Sequence, residues 1–463
     1  MSASQRVLGS FRDPSGYLFK RDGTLYRQVN HRYRIHYDHL MDSGLYRELV
    51  HEGYLIPHEE TPVEPDDHRS AYKVLRPEAL QFVSYPYEWC FSQYKDAALR
   101  TLQIQKRALS RGMSLKDCSA YNMQFRRGIP VLIDTLSFEI YREGEPWVAY
   151  RQFCQHFLGP LALMARRDAR LGQLMRVHLD GLPLDLVARL LPWNSRFRLG
   201  LMTHVYLHAG AQRRYGGRPL DKGQLKGRMS LTALRGLLES LEGTVSNLAW
   251  EPVGTEWGDY YDATNYTEPA LAHKEEVVRD FLLQLWPATV WDLGANTGFF
   301  SRLASSQGIP TIAWDVDPAA VERNYRACRS EGETQLLPLL LDLANPSPSI
   351  GWGNRERMSF LERAPADTVM VLALIHHLAI GNNIPLGYVA DLLSLLGPGL
   401  IIEFVPKEDS QVRRLLSMRE DVFPDYNREA FESAFEEKYR IERRVELQDS
   451  MRCVYLMRRR WTR

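Results

Sequence analysis

The chain has 463 residues, too many for one ordinary core, so two or three domains are expected. Its 44% apolar and 25% charged residues fit a globular protein, which excludes disordered and fibrous classes. A net charge of +1, from 58 basic and 57 acidic residues, excludes a global field that would draw the molecule to nucleic acid or an anionic membrane.

The N-terminus has no apolar run of the signal-peptide kind, and the cytoplasm is the expected compartment. The five cysteines form no CxxC pair, which argues against a zinc site or a disulfide framework. "GYLFKRDGTLYRQV" predicts a β-hairpin around Asp22-Gly23. "LQFVSYPYEWC" predicts a strand leading into a hinge, and "SQYKDAALRTLQIQKRALSRG" a helix ending at Gly112. Residues 114–139 hold Asp117, then Asn122 with four residues between, and Asp134 at the end of the apolar run "PVLID". "PWVAYRQFCQHFLGPLALMARRDARL" continues as helix. Residues 1–190 are thus expected to form an α+β domain and 191–270 a helical linking region, whose basic loop 212–228 reads as a solvated linker.

From Lys274 the pattern becomes regular. "KEEVVRDFLLQLW" is an amphipathic helix. The runs "TVWDLG", "TIAWDVD", "LLPLLLD", "TVMVLAL" and "GLIIEF" are short and continuously apolar, as strands buried on both faces are. Helical segments separate them, which predicts a doubly wound, Rossmann-like α/β sheet over 271–463. "YRIERRVEL" and "MRCVYLMRRR" predict an antiparallel terminal hairpin closing the sheet edge. "VMVLALIHHLAIG" is too short to span a bilayer.

In such sheets ligands sit beyond the carboxyl ends of the strands. There the sequence has "TVWDLGANTGFFS", with Asp292, Gly294, Asn296 and Gly298 between the first strand and its helix. Glycine lets that turn close and lets a ligand touch the backbone. The GxGxxG pattern of dinucleotide sites is missing. Asp315 follows at close to the ~20-residue spacing at which a strand-end acid meets ribose hydroxyls. Asp317 reads as the cap of the helix that begins at Pro318. Asp342-Leu343 end the third strand, where an acid can accept from an adenine amino group.

In order, "DLGANTGFFS", "WDVDP", "LDL" and "LALIHHL" resemble the motif series of class I S-adenosylmethionine-dependent methyltransferases, across residues about 270 to 463. The resemblance implies a seven-stranded sheet and S-adenosylmethionine as cofactor. It implies Asp292 and Gly294 near the amino-acid part, Asp315 on the ribose and Asp342 with Leu343 at the adenine, with Asn296 and Gly298 completing the first loop. His376 and His377 are then candidate bases for an oxygen or nitrogen acceptor, since histidine titrates near neutrality. Asn382 and Asn383 are expected to shape the same loop, and Glu403 to stand at its rim as a substrate ligand or a backbone acceptor.

Asp117, Asn122 and Asp134 resemble the core of the protein-kinase and aminoglycoside-phosphotransferase folds. That resemblance implies a kinase-like N-terminal domain, with Asp117 as base and Asn122 and Asp134 holding Mg²⁺ with ATP. There is no glycine-rich phosphate loop and no V-A-I-K strand, and Thr-Leu-Ser follows Asp134, so the domain is expected to lack kinase activity. Segments such as "YPYEW", "LKDCSAYN" and "LIHHLAIGNNIPL" also resemble bacterial nodulation-type (NoeA-like) methyltransferases. The expected acceptor is a small molecule or saccharide, with no nucleic-acid or membrane partner. A bifunctional kinase–methyltransferase and a non-catalytic S-adenosylmethionine-binding scaffold are the alternatives.

Overall fold

The computed structural model describes residues 4–207, 229–252, 266–417 and 420–460. The basic loop 212–228 lies outside the described residues. The chain divides into two compact units, residues 1–250 with 350–357, and residues 251–349 with 358–463.

In the first unit a five-stranded antiparallel sheet has the order β1 (Gln5–Arg6), β2 (Gly16–Arg21), β3 (Thr24–Asn30), β5 (Ala71–Pro77), β4 (His58–Glu60). The β2–β3 turn carries Asp22 and Gly23 at φ 50° and 76°, both in the left-handed region that a two-residue hairpin of this twist requires. Helices Arg34–Asp42 and Leu45–His51 lie between β3 and β4. The helix Phe91–Ser110 buries Tyr94, Ala98, Leu102, Gln105 and Leu109 at three- and four-residue steps. After it, β6 (Met113–Leu115) pairs with β9 (Phe138–Ile140), and β7 (Met123–Arg126) with β8 (Ile129–Leu132). The helix Leu231–Ser246 packs on Phe91–Ser110 inside this unit.

The strand expected in "LQFVSYPYEWC" does not form. Pro86 opens a short 3₁₀ turn, Pro86–Glu88. The Gln124 side chain takes the part of a neighbouring strand: its Oε1 accepts from the Ser84 N–H at 2.9 Å, and its Nε2 donates to the Ser84 carbonyl at 2.8 Å. A buried backbone segment must find partners, and one amide supplies both.

Residues 350–357 pack with the first unit although their flanks belong to the second. The Glu356 carboxylate is fully buried and accepts two bonds from Arg12, at 2.8 and 2.9 Å, and one from the Trp352 N–H at 2.8 Å. A Cβ at Gly9 would stand 2.3 Å from the Glu356 carbonyl, so only glycine fits there.

The second unit is built on a seven-stranded sheet of order β12-β11-β10-β13-β14-β16-β15. Its strands are β10 (Val290–Leu293), β11 (Thr311–Asp315), β12 (Leu336–Leu340), β13 (Thr368–Val371), β14 (Gly399–Phe404), β15 (Tyr439–Glu446) and β16 (Cys453–Arg459). The first five are parallel and buried along their whole length. The terminal hairpin runs back antiparallel, with β16 against β14 and β15 at the edge. That edge carries Arg440, Glu442, Arg443, Arg444 and Glu446, charges that discourage further strand pairing. The helix Glu268–Leu285 covers one face through Val278, Phe281 and Leu282, which pack on Val290, Met370 and Ile401.

Candidate functional site

The second unit holds a cavity of about 570 Å³ beyond the carboxyl ends of its parallel strands. Its floor is the turn after β10. Both the Gly294 and Ala295 N–H groups donate to the Trp314 carbonyl on β11, at 2.8 and 2.9 Å, which ties the turn to the next strand. Gly294 has φ 76° and Asn296 φ 52°, so the backbone folds through the left-handed region twice. The Asn296 N–H then donates to Asp315 Oδ2 at 2.7 Å, while the Asp317 N–H donates to Oδ1 at 2.9 Å. Two backbone donors thus aim the Asp315 carboxylate. Asp317 accepts from the Ala319 N–H at 2.7 Å and caps the helix Pro318–Glu331.

Asp292 is the penultimate residue of β10 and accepts from Ser301 Oγ at 2.6 Å. Burial pushes its carboxyl up to about 7, with Asp315 adding repulsion and Lys274 opposing the rise. Burial likewise pushes Asp315 up to about 6, against the pull of its backbone donors. Two buried acids at one cavity wall favour a ligand that brings positive charge and hydroxyl donors.

Asp342 and Leu343 line the cavity after β12, and His377 and Asn382 line it after β13. Gly298 and His376 do not line it. Gly298 has φ 81°, and a Cβ there would meet the Asn324 side chain at 2.5 Å, so its glycine serves the packing of the turn on a helix. His376 is 1% exposed, its ring centroid is 4.1 Å from that of His377, and its Nδ1 finds no hydrogen-bond partner among the described residues. Burial pushes His376 well below the ordinary imidazole value and His377 down to about 4. Asn383 stands at φ 57° in the loop that follows.

A buried polar cluster forms one side of the cavity, and of its members only Glu403 is singled out by sequence. Lys274 and Tyr266 face the cavity. Lys274 Nζ donates to Glu403 Oε2 at 2.7 Å and to Tyr266 OH at 2.9 Å, and Tyr266 OH donates to Glu403 Oε1. Arg452 donates to Tyr266 OH at 2.5 Å and to both Asp409 oxygens at 2.8 and 3.1 Å. Burial raises Glu403, yet Lys274 and Arg452 outweigh it and hold this carboxyl below its ordinary value. Glu403 Oε2 also accepts from the Ala373 N–H at 2.7 Å, fixing a cavity-lining residue at the unusual φ of 51°. The signal for Lys274 was present: it sits in register with Ala270, Val277, Val278 and Phe281 on the buried face of its helix. A lysine in an apolar stripe must have a partner.

In the first unit Asp117, Asn122 and Asp134 come together around the β6–β9 and β7–β8 pairs, linked through Ser137.

A parallel sheet extended by an antiparallel hairpin, with acids near the ends of β10 and β11 and a cavity beyond them, defines the class I methyltransferase fold. The chain belongs to the NoeA family of nodulation proteins. It is 39% identical over 463 residues to nodulation protein NoeA of Rhizobium meliloti (strain 1021), covering 98% of this chain and 96% of that protein. No family model matches the chain. Among solved structures it is similar to the bifunctional kinase-methyltransferase WbdD, at 18% identity and a TM-score of 0.31, over 46% of this chain and 45% of WbdD, so the match spans less than half of WbdD. It is also similar to the magnesium protoporphyrin IX methyltransferase ChlM of Synechocystis PCC 6803, at 17% identity and a TM-score of 0.30, over 41% of this chain and 84% of that one.

Proposed function

We propose that the second unit is an S-adenosylmethionine-dependent methyltransferase that acts on an oxygen or nitrogen of a small or saccharide-like acceptor. The observation that carries this reading is the Asp315 carboxylate, aimed into the cavity wall by the N–H groups of Asn296 and Asp317. Its remaining lone pairs suit two vicinal ribose hydroxyls. Asp342 and Leu343 bracket the position of the adenine. Asp292, Gly294 and Lys274 surround the amino-acid end, where an ammonium pairs with Asp292 and a carboxylate with Lys274. The bound donor supplies a methyl group on a sulfonium. The chain aligns the acceptor with it, and alignment is the larger part of the catalytic task in an in-line displacement. His377, held neutral above its depressed value, accepts a hydrogen bond from an acceptor hydroxyl or amine.

The test is calorimetric titration of the full chain with S-adenosylhomocysteine. Asp315→Ala is expected to weaken binding at least about tenfold, the loss of one charge-assisted contact. Equal affinity in a variant that melts like the parent would remove the reading.

A further inference from the structure

The kinase-like constellation of the first unit implies Mg²⁺ and ATP, and its side chains do not fit them. Asp134, the expected metal ligand, has both oxygens engaged. Oδ1 accepts from the Arg27 guanidinium and from the Leu136 N–H at 3.2 Å; Oδ2 accepts from Ser137 Oγ at 2.7 Å. Asn122, the second expected ligand, turns its amide nitrogen to Asp117 Oδ2 at 3.1 Å and to Ser137 Oγ at 3.4 Å. Asp117, the expected base, accepts from the Ser119 N–H at 2.9 Å and from Gln152 Nε2 at 2.8 Å. Its neighbour Lys116 is drawn away to Asp13 at 3.2 Å and Ser15 at 3.0 Å.

We infer that Arg27 is the resident cation of this site: its guanidinium holds the carboxylate a divalent metal would need, Ser137 bridges Asn122 to Asp134, and the constellation binds neither Mg²⁺ nor ATP. The chemistry favours the arginine. Its charge is permanent, its planar fork matches a carboxylate, and it is less strongly hydrated than an ammonium. Mg²⁺ sheds water reluctantly and demands octahedral oxygen ligands, two of which are here committed to internal donors. The Arg27 and Asp134 side chains are only 14% and 13% exposed, so the pair is protected from salt and solvent. Arg27 stands on β3 and Asp134 follows β8, so one ion pair ties the five-stranded sheet to the turn between β8 and β9.

Two measurements on the full chain test this. Calorimetric titration of the unmodified protein with Mg²⁺ and a non-hydrolysable ATP analogue should give no saturable heat at micromolar to millimolar concentrations. Saturable binding would overturn the proposal. Thermal melts of Arg27→Met, Asp134→Asn and the double variant form a cycle. Each single variant should melt roughly 10 °C lower, as expected when one partner of a largely buried ion pair is removed, and the double variant should lose clearly less than the sum. Additive losses, or a single variant that melts like the parent, would equally overturn it. Should Arg27→Met fail to fold, Arg27→Gln keeps the cycle measurable, and the titration stands by itself.

Discussion

Asp292 and Asp315 hold their protons more tightly in the folded chain than in the unfolded one, at about 7 and about 6 against an ordinary 3.8. The sign of the consequence is definite. Folding binds more protons than unfolding, so the stability these acids contribute is complete below about pH 4 and is lost as pH rises through 6 and 7. Asp292→Asn keeps an acceptor for Ser301 and removes the buried charge. It should therefore raise Tm at about pH 8 by several degrees, with the gain shrinking at about pH 5, while donor binding falls; scanning calorimetry at the two pH values checks this. An unchanged Tm at both would mean that the Asp292 carboxyl is not perturbed. Donor affinity should itself weaken as pH falls below 7, because the ligand's ammonium and hydroxyls need the ionised acids, and titration in buffers of different ionisation enthalpy would register proton release on binding. Glu403 behaves in the opposite sense, since its two cations hold it ionised. Glu403→Gln leaves Lys274 and Arg452 one anion short in a buried cluster and should destabilise the chain by about 3–5 kcal/mol, read from denaturant melts.

At the scale of elements, strands buried on both faces are legible because they read as largely apolar runs. β10, β11, β12, β13 and β14 each fall inside such a run. The turn after β10 was legible through its acid and glycines, but spacing alone did not separate Gly298, which packs on Asn324, from Gly294, which lines the cavity. The segment 80–90 is not a strand, because its strand-like composition is overridden by Pro86 and by a tertiary partner, Gln124, that sequence does not announce. His376 and His377 look equivalent in the sequence, yet one ring is buried in the interior and the other lines the cavity. The polar cluster was the least legible part. Tyr266, Lys274, Glu403, Asp409 and Arg452 are separated by up to 186 positions, and their meeting depends on the sheet having closed. A double-mutant cycle on Lys274→Met and Glu403→Gln should show non-additive losses, since each partner's removal leaves the other buried without its ion pair; additive losses would mean that the two do not interact.

At the scale of the molecule, near-zero net charge leaves electrostatic recognition to local surfaces. Neither unit is one uninterrupted stretch of sequence. The eight residues 350–357 are counted with the first unit yet are encoded deep in the second half. A fragment ending at residue 250 therefore lacks the buried Glu356 carboxylate that takes two bonds from Arg12, and it should melt lower than the first unit does within the full chain. During synthesis the same feature acts as a clock. A ribosome that has released residue 250 has not yet made the last piece of the first unit, and about a hundred further residues, some five to twenty seconds of translation, must emerge before that unit can complete its packing. The first unit thus completes only while the second is still being made, and a premature stop anywhere before residue 357 leaves both unfinished.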